Sequence, residues 1–362
     1  MSMNRSILVA LALVAAACGS AQSDRYTRKQ AQKSLIKLEK PGLVLGEFRL
    51  TKVVDGDTIK VDGLDSSLRL LGFDAEETFK HDDERRAFEA GWEQYKKDKR
   101  GASKRPVKYA TPLGEQAKEW AKHFFDGVDR VRIERDHPAE IRDRYNRYLA
   151  YVFASKNGTW VNYNVEAVRA GMAPYFPKYG NSRRFHADFL AAESEAKAQK
   201  RGIWAPGAMS YPDYPEREAW WGARGNFVAE FRAEGEGQGK TNYIDITHWD
   251  AEKTLEQLVG KEVVLLGTVD DIRIGEKGPT IVKLDGHFPV VFFDRDIFGS
   301  SGIPEWKGEY IRVTGVPTLY ENKHTHQKQV QLQVNQVTQI KLSPVPGLTV
   351  PSVQTATKGV SP

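Results

Sequence analysis

Two aspartates separated by one glycine, Asp55-Gly56-Asp57-Thr58, lie inside an alternating stretch that predicts a strand or hairpin over Gly46 to Val61. Residues two apart on a strand project from one face. Close carboxylates repel unless a cation sits between them, and a hard divalent ion such as Ca²⁺ takes such oxygen ligands. An Asp-Gly hairpin turn would give the same tetrapeptide with no chemistry attached. A second segment, Arg69-Leu70-Leu71-Gly72-Phe73-Asp74-Ala75-Glu76-Glu77, opens an apolar strand with a cation and ends on three carboxylates. Gly72 allows the strand to bend, so Arg69 and Asp74 need not face opposite sides. In a third segment, Asp143-Arg144-Tyr145-Asn146-Arg147, Asn146 suits a turn and Arg147 begins the next strand. Each fragment alone also reads as ordinary surface. Together they supply a cation site, a spare carboxylate and two guanidinium groups, the inventory that phosphodiester cleavage needs.

These residues must be positioned by a mixed set of elements. Ser67 to Phe73, Val128 to Glu134 and Tyr148 to Phe153 read as strands. Thr111-Pro112 opens an amphipathic helix that ends at Gly127, since proline suits a first helical turn. Asn162 caps a short helix stopping at Gly171, and Ser182 to Arg201 carries the clearest helical period. Strands followed by helices fit a small β-barrel with helices packed on it. A second β-rich block follows, with strands over Glu262–Val269, Thr280–Leu284, Val290–Phe293, Tyr310–Val316 and Gln329–Val334.

The chain of 362 residues has room for two modest domains, and 40 % apolar with 28 % charged residues is ordinary for a globular protein. A net charge of +5 is small for this length, so attraction to nucleic acid must come from local patches. Arg5 precedes an apolar run from Ile7 to Ala17, the pattern of a secretory signal and too short for a permanent membrane span. Cys18 is the only cysteine, which excludes an internal disulfide. Val14-Ala15-Ala16-Ala17-Cys18-Gly19 resembles a bacterial lipoprotein box, with Cys18 lipidated; cleavage after Ala21 would instead release a soluble protein.

The three acidic and basic segments, followed in order by Val161-Asn162 and Val168-Arg169-Ala170-Gly171, resemble the staphylococcal nuclease (thermonuclease) family over roughly Gly42 to Trp204. The resemblance implies an α+β fold, mainly β: an OB-type five-stranded barrel with three helices that hydrolyses DNA and RNA with one Ca²⁺, leaving 5′-hydroxyl and 3′-phosphate ends. It implies Asp57, Asp74 and the carbonyl of Ala75 as metal ligands, with Asp55 in the outer shell. Glu77 would be the general base, and Arg69 and Arg147 would clamp the phosphate, each gripping two oxygens as a lysine cannot. Arg144, Tyr145 and Tyr179 would lie on the substrate side.

Two departures stand out. Glu76 occupies a place that is proline in the family, which removes stiffness and adds a carboxylate that would either tighten metal binding or repel substrate. Residues 80–110 form an insertion that has seven Lys or Arg against one acid between Lys96 and Lys108. It reads as a solvated charged helix and loop, or as a substrate-steering arm.

The expected domains are a signal and lipobox over 1–18, a tether over 19–41, the nuclease-like domain over 42–207, a partly packed linker over 208–253, a second domain over 254–342 and a disordered tail over 343–362. Gly260-Lys261-Glu262-Val263, Gly267-Thr268-Val269, Leu284-Asp285-Gly286 and Tyr310 to Gly315 make the second block resemble a bacterial OB-fold of the nucleic-acid-binding kind. Phe292, Phe293 and Tyr320 read as core or as base-stacking residues, and His324 and His326 lack the company of a metal site. The functional expectation is an exported or envelope-bound monomeric nuclease. DNA or RNA is its substrate, and the membrane is met only through a lipid on Cys18. The competing expectation is a catalytically weak binding or scaffold protein on the same barrels.

Overall fold

The expected hairpin is present in the computed structural model, which describes residues 42–349 except 65, 141, 142, 144, 146, 324 and 325. Strand β1 (Val44–Asp55) turns at Gly56-Asp57 into antiparallel β2 (Thr58–Val61). β3 (Leu68–Leu70) follows, then the two-residue β4 (Gly72–Phe73). Gly72 opens β4 at φ +82, and a side chain there would strike the ring of Phe189 at 2.2 Å. Only glycine meets both demands. The insertion forms helices α1 (Asp82–Ala90) and α2 (Trp92–Arg100). α3 (Pro112–Phe124) starts where the sequence indicates, with the Thr111 side chain accepting from the Gly114 amide. Next come β5 (Arg130–Glu134), β6 (Tyr148–Lys156), β7 (Thr159–Asn162) and α4 (Tyr163–Arg169), which is capped by Asn162. Short β8 (Tyr175–Phe176) pairs with β4, and α5 (His186–Ala198) closes the unit.

The strand path β3-β2-β1-β5-β6 closes on itself because β3 also pairs with β6 in parallel, giving the expected five-stranded barrel with β7 outside it. Its interior is filled by Ile59, Leu68, Val131, Ile133, Val152 and their neighbours, and helices α3, α4 and α5 pack against it.

The segment read as a partly packed linker holds a 21-residue helix, α6 (Tyr214–Glu234), with Trp221, Phe227 and Phe231 buried along it. Beyond it are β9 (Tyr243–Asp245), α7 (Ala251–Gln257), β10 (Val263–Ile274), β11 (Thr280–Leu284), β12 (Phe288–Phe292), α8 (Arg295–Ser300), β13 (Tyr310–Gly315), β14 (Pro317–Glu321), β15 (Lys328–Val334) and β16 (Ile340–Leu342). The long β10 serves two partners: Val263–Thr268 pairs with β13, and Val269–Ile274 pairs with β11. A separate core forms around Leu265, Val290, Ile311 and Leu332. Phe292 belongs to that core, whereas Phe293 and Tyr320 are exposed. Ser343 and Val345 are buried, and the Trp306 indole donates to the Ser343 carbonyl at 2.7 Å, so the expected tail starts later than Ser343. Cys18, the tether and residues 350–362 lie outside the described residues.

The insertion is neither a solvated loop nor a free arm. Phe88, Trp92, Tyr95, Tyr109 and Tyr211 form a continuous ring cluster. Arg100 pairs with Asp213 and Glu216 on and beside α6, and Arg105 reaches buried Glu309 in the second β unit at 3.1 Å. Arg224 of α6 meets the same carboxylate at 3.2 Å. A second seam joins Glu140 to Arg232 at 3.0 Å, while His137 and His248 stack with centroids 4.7 Å apart. Glu140, His137 and His248 are close enough to hold a metal ion, but Arg232 and Arg183 both face Glu140 and repel a cation. This cluster is an ion-pair joint between the two units.

Candidate active site

The barrel gathers the acidic segments at one end. The Arg69 guanidinium forks, one arm to Asp57 and the other to Asp74, and all three residues are buried. The bend at Gly72 lets Asp74 return to the side of Arg69. Gly56 brings the two acidic loops into contact: a side chain there would lie 2.9 Å from Ala117 and 3.0 Å from Ala75. The Gly56 carbonyl accepts a 2.7 Å hydrogen bond from the buried Tyr163 hydroxyl, which fixes the turn between Asp55 and Asp57.

The electrostatics are those of crowded acids facing fixed cations. Burial and the neighbouring Asp57 push the Asp55 carboxyl up to about 7. Burial opposes charge on Asp74 as well, but Lys108 and Arg69 hold its carboxyl well below the usual range. Lys108 sits 2.5 Å from Asp74. This ammonium comes from the insertion and was missed in the sequence, where it is one of seven similar cations. Asp55, Asp57 and Asp74 offer only carboxylate oxygens, the donor type a hard divalent cation takes, but they are not drawn together as a ligand cluster here: Arg69 bridges Asp57 and Asp74, and Asp55 neighbours Asp57. Arg69 Nε is buried with no hydrogen-bond partner among the described residues.

Glu77 lies at the rim, half-exposed, with Lys80 3.0 Å from its Oε2. The Lys80 ammonium is held high by its hydrogen bond to Glu77 and then by the charge of Glu77. Its carbonyl accepts from the Thr111 amide at 3.0 Å. Glu76 points the other way. Its carboxylate is buried and accepts from the Thr111 hydroxyl, the Tyr211 amide at 2.8 Å and the Tyr214 hydroxyl at 2.6 Å. The Glu76 carboxylate is thus engaged within the protein, where it locks the loop to α6.

Arg147 makes a two-pronged contact with Asp143 at 2.9 and 2.7 Å and is about three-quarters buried along its side chain. Tyr179 joins the arginines: its hydroxyl is 3.5 Å from Asp143, and after burial the charges of Arg69, Asp143 and Arg147 act on it most strongly. Tyr145 is exposed, 5.5 Å from the Arg147 guanidinium. Arg144 lies outside the described residues. Lys178, beside Tyr179, is lowered to about 7 by burial and then by Arg69.

Residues 67–206 match the family described as staphylococcal nuclease homologue. Asp55 and Asp57 precede that match, on β1 and the turn into β2. The chain is 32 % identical over 158 residues to an uncharacterized protein of Methanocaldococcus jannaschii, covering 43 % of this chain and 70 % of that protein. It is 30 % identical over 166 residues to the thermonuclease of Staphylococcus intermedius, covering 44 % of this chain and 78 % of that protein. With the thermonuclease of Staphylococcus hyicus it shares 29 % over 163 residues, 44 % of this chain and 75 % of that protein. A closed five-stranded barrel, this ordered set of acids and arginines, and these likenesses agree: the chain belongs to the staphylococcal nuclease family.

Proposed function

We propose that the protein is a Ca²⁺-dependent nuclease that hydrolyses phosphodiester bonds of DNA or RNA. The observation that carries this reading is the convergence of Asp57 and Asp74, 17 residues apart, on one buried Arg69 with Glu77 at the rim. Asp57, Asp74 and the Ala75 carbonyl would hold the ion, with Asp55 behind them. When bound, Ca²⁺ stabilises negative charge on the phosphoryl oxygens. Glu77 orients the attacking water and takes its proton, since a half-exposed carboxylate beside the site meets both solvent and substrate. Arg69 and Arg147 grip the phosphate and neutralise the charge that builds on it in the transition state. Arg147 is held in place by Asp143, whereas Arg69 donates to both proposed ligands, Asp57 and Asp74, and would exchange those bonds for the phosphate when the ion enters.

The thermonuclease relatives support this reading, and the full complement of acids and arginines favours it over a binding protein that has lost catalysis. The apolar segment and Cys18 extend the proposal to an exported, lipid-anchored enzyme acting at the cell envelope. Glu77→Gln tests the mechanism: turnover should fall by roughly a hundredfold or more while Ca²⁺ binding persists. Unchanged turnover would remove Glu77 from the chemistry.

A further inference from the structure

A cleft of about 770 Å³ opens between the nuclease barrel, α6 and the second β unit. It begins at the active site, since Lys108, Tyr179 and Asp143 form part of its wall, and it extends to Trp249 and Lys307. Its cations outnumber its acids, and its acids are largely spoken for. Asp143 is held by Arg147, Glu309 by Arg105 and Arg224, and burial pushes Asp285 up to about 7. Lys178 and Lys307 have no carboxylate within ion-pair distance among the described residues. Trp249 is 47 % exposed, yet its backbone is pinned to the nuclease unit by a 3.1 Å hydrogen bond from its amide to the Ala139 carbonyl. Beyond Lys307 and Gly308 a further hollow continues to Tyr145, an exposed ring beside Arg147.

Cations track a phosphate backbone, and rigid exposed rings stack on bases. Stacking needs bases that are out of a duplex, because paired bases are covered by their neighbours. We infer that the cleft between the two β units is a single-strand channel, in which Lys307 holds a phosphate and Trp249 stacks a base of the strand being cut. This rests on the nuclease reading for its cutting end. It gives the second β unit the task of selecting unpaired nucleic acid.

The test is binding of the full chain to a 5′-labelled oligothymidylate, followed by fluorescence anisotropy in chelator. Trp249→Ala should weaken single-strand binding roughly five- to a hundredfold, and Trp249→Phe should restore most of it. Lys307→Ala should lower the slope of log affinity against log salt by about 0.7. A duplex of equal length should bind without dependence on Trp249. Unaltered single-strand affinity in Trp249→Ala and Lys307→Ala, or equal dependence of duplex and single strand on Trp249, would overturn the channel. Hydrolysis of bis(p-nitrophenyl) phosphate by the unmutated chain, too small a substrate to reach Trp249, reports on the proposed reaction alone. No hydrolysis there, with the binding pattern intact, removes the nuclease reading and leaves the channel standing.

Discussion

The carboxylate of Glu76 accepts a 2.6 Å hydrogen bond from the hydroxyl of Tyr214, a residue 138 positions further along the chain. The loop that carries Asp74 and Glu77 is therefore fastened to a helix that follows the nuclease barrel. Burial pushes the Glu76 carboxyl up, and the donors of Thr111, Tyr214 and Tyr211 oppose that shift. Glu76→Ala leaves those donors facing a cavity and should cost about 3 kcal/mol of stability, with Glu76→Gln milder because it still accepts. Chemical unfolding checks this; a Glu76→Ala protein as stable as the parent would show that the fastening contributes nothing.

Lys108 competes with any cation for Asp74. Its side chain is 43 % exposed, so the ion pair is partly screened and the effect is modest. Lys108→Ala should lower the Ca²⁺ concentration for half-maximal activity several-fold. Calcium titration of turnover checks it, and an unchanged or higher requirement would mean that Lys108 leaves Asp74 at no cost when metal enters.

Arg147 owes its pose to Asp143, which it meets through both Nε and Nη2. A lysine keeps the charge but loses the planar fork. Arg147→Lys should reduce kcat by roughly a hundredfold with folding intact. Steady-state kinetics with a circular-dichroism control decides it, and near-parental kcat would reduce Arg147 to a surface cation.

How much of this was legible in the sequence depends on what the signal was made of. The barrel strands and α3, α4 and α5 follow apolar periods and cap residues, and those survive into the fold. α6 was hidden because its buried face, Tyr214, Arg217, Trp221, Arg224, Val228 and Phe231, has helical spacing but includes two arginines. Charged residues at core positions dilute the apolar stripe that reveals a helix. The same holds for the site. Asp57, Arg69 and Asp74 announce themselves by type and order. Lys108 and Glu76 act through partners that sequence distance conceals.

The joint between the units should respond to pH through His248. Burial opposes its charge, but Glu140 and Asp245 raise its pKa above 6.5, while burial and His248 lower that of His137. A raised histidine adds stability that is complete below about 6.5 and fades as pH rises through the folded value. The melting-temperature advantage of the parent over His248→Asn should thus be largest in mild acid and shrink in alkali. An advantage that grows with pH would mean that His248 is neutral in the folded joint.

The most direct measurement takes the purified chain with labelled DNA and RNA, once with Ca²⁺ and once with excess chelator. The proposal that Asp57 and Asp74 hold a cation, with Glu77 and the two arginines acting beside it, requires cleavage in calcium and none in chelator. Intact substrate in both tubes, or equal cleavage in both, would contradict that arrangement.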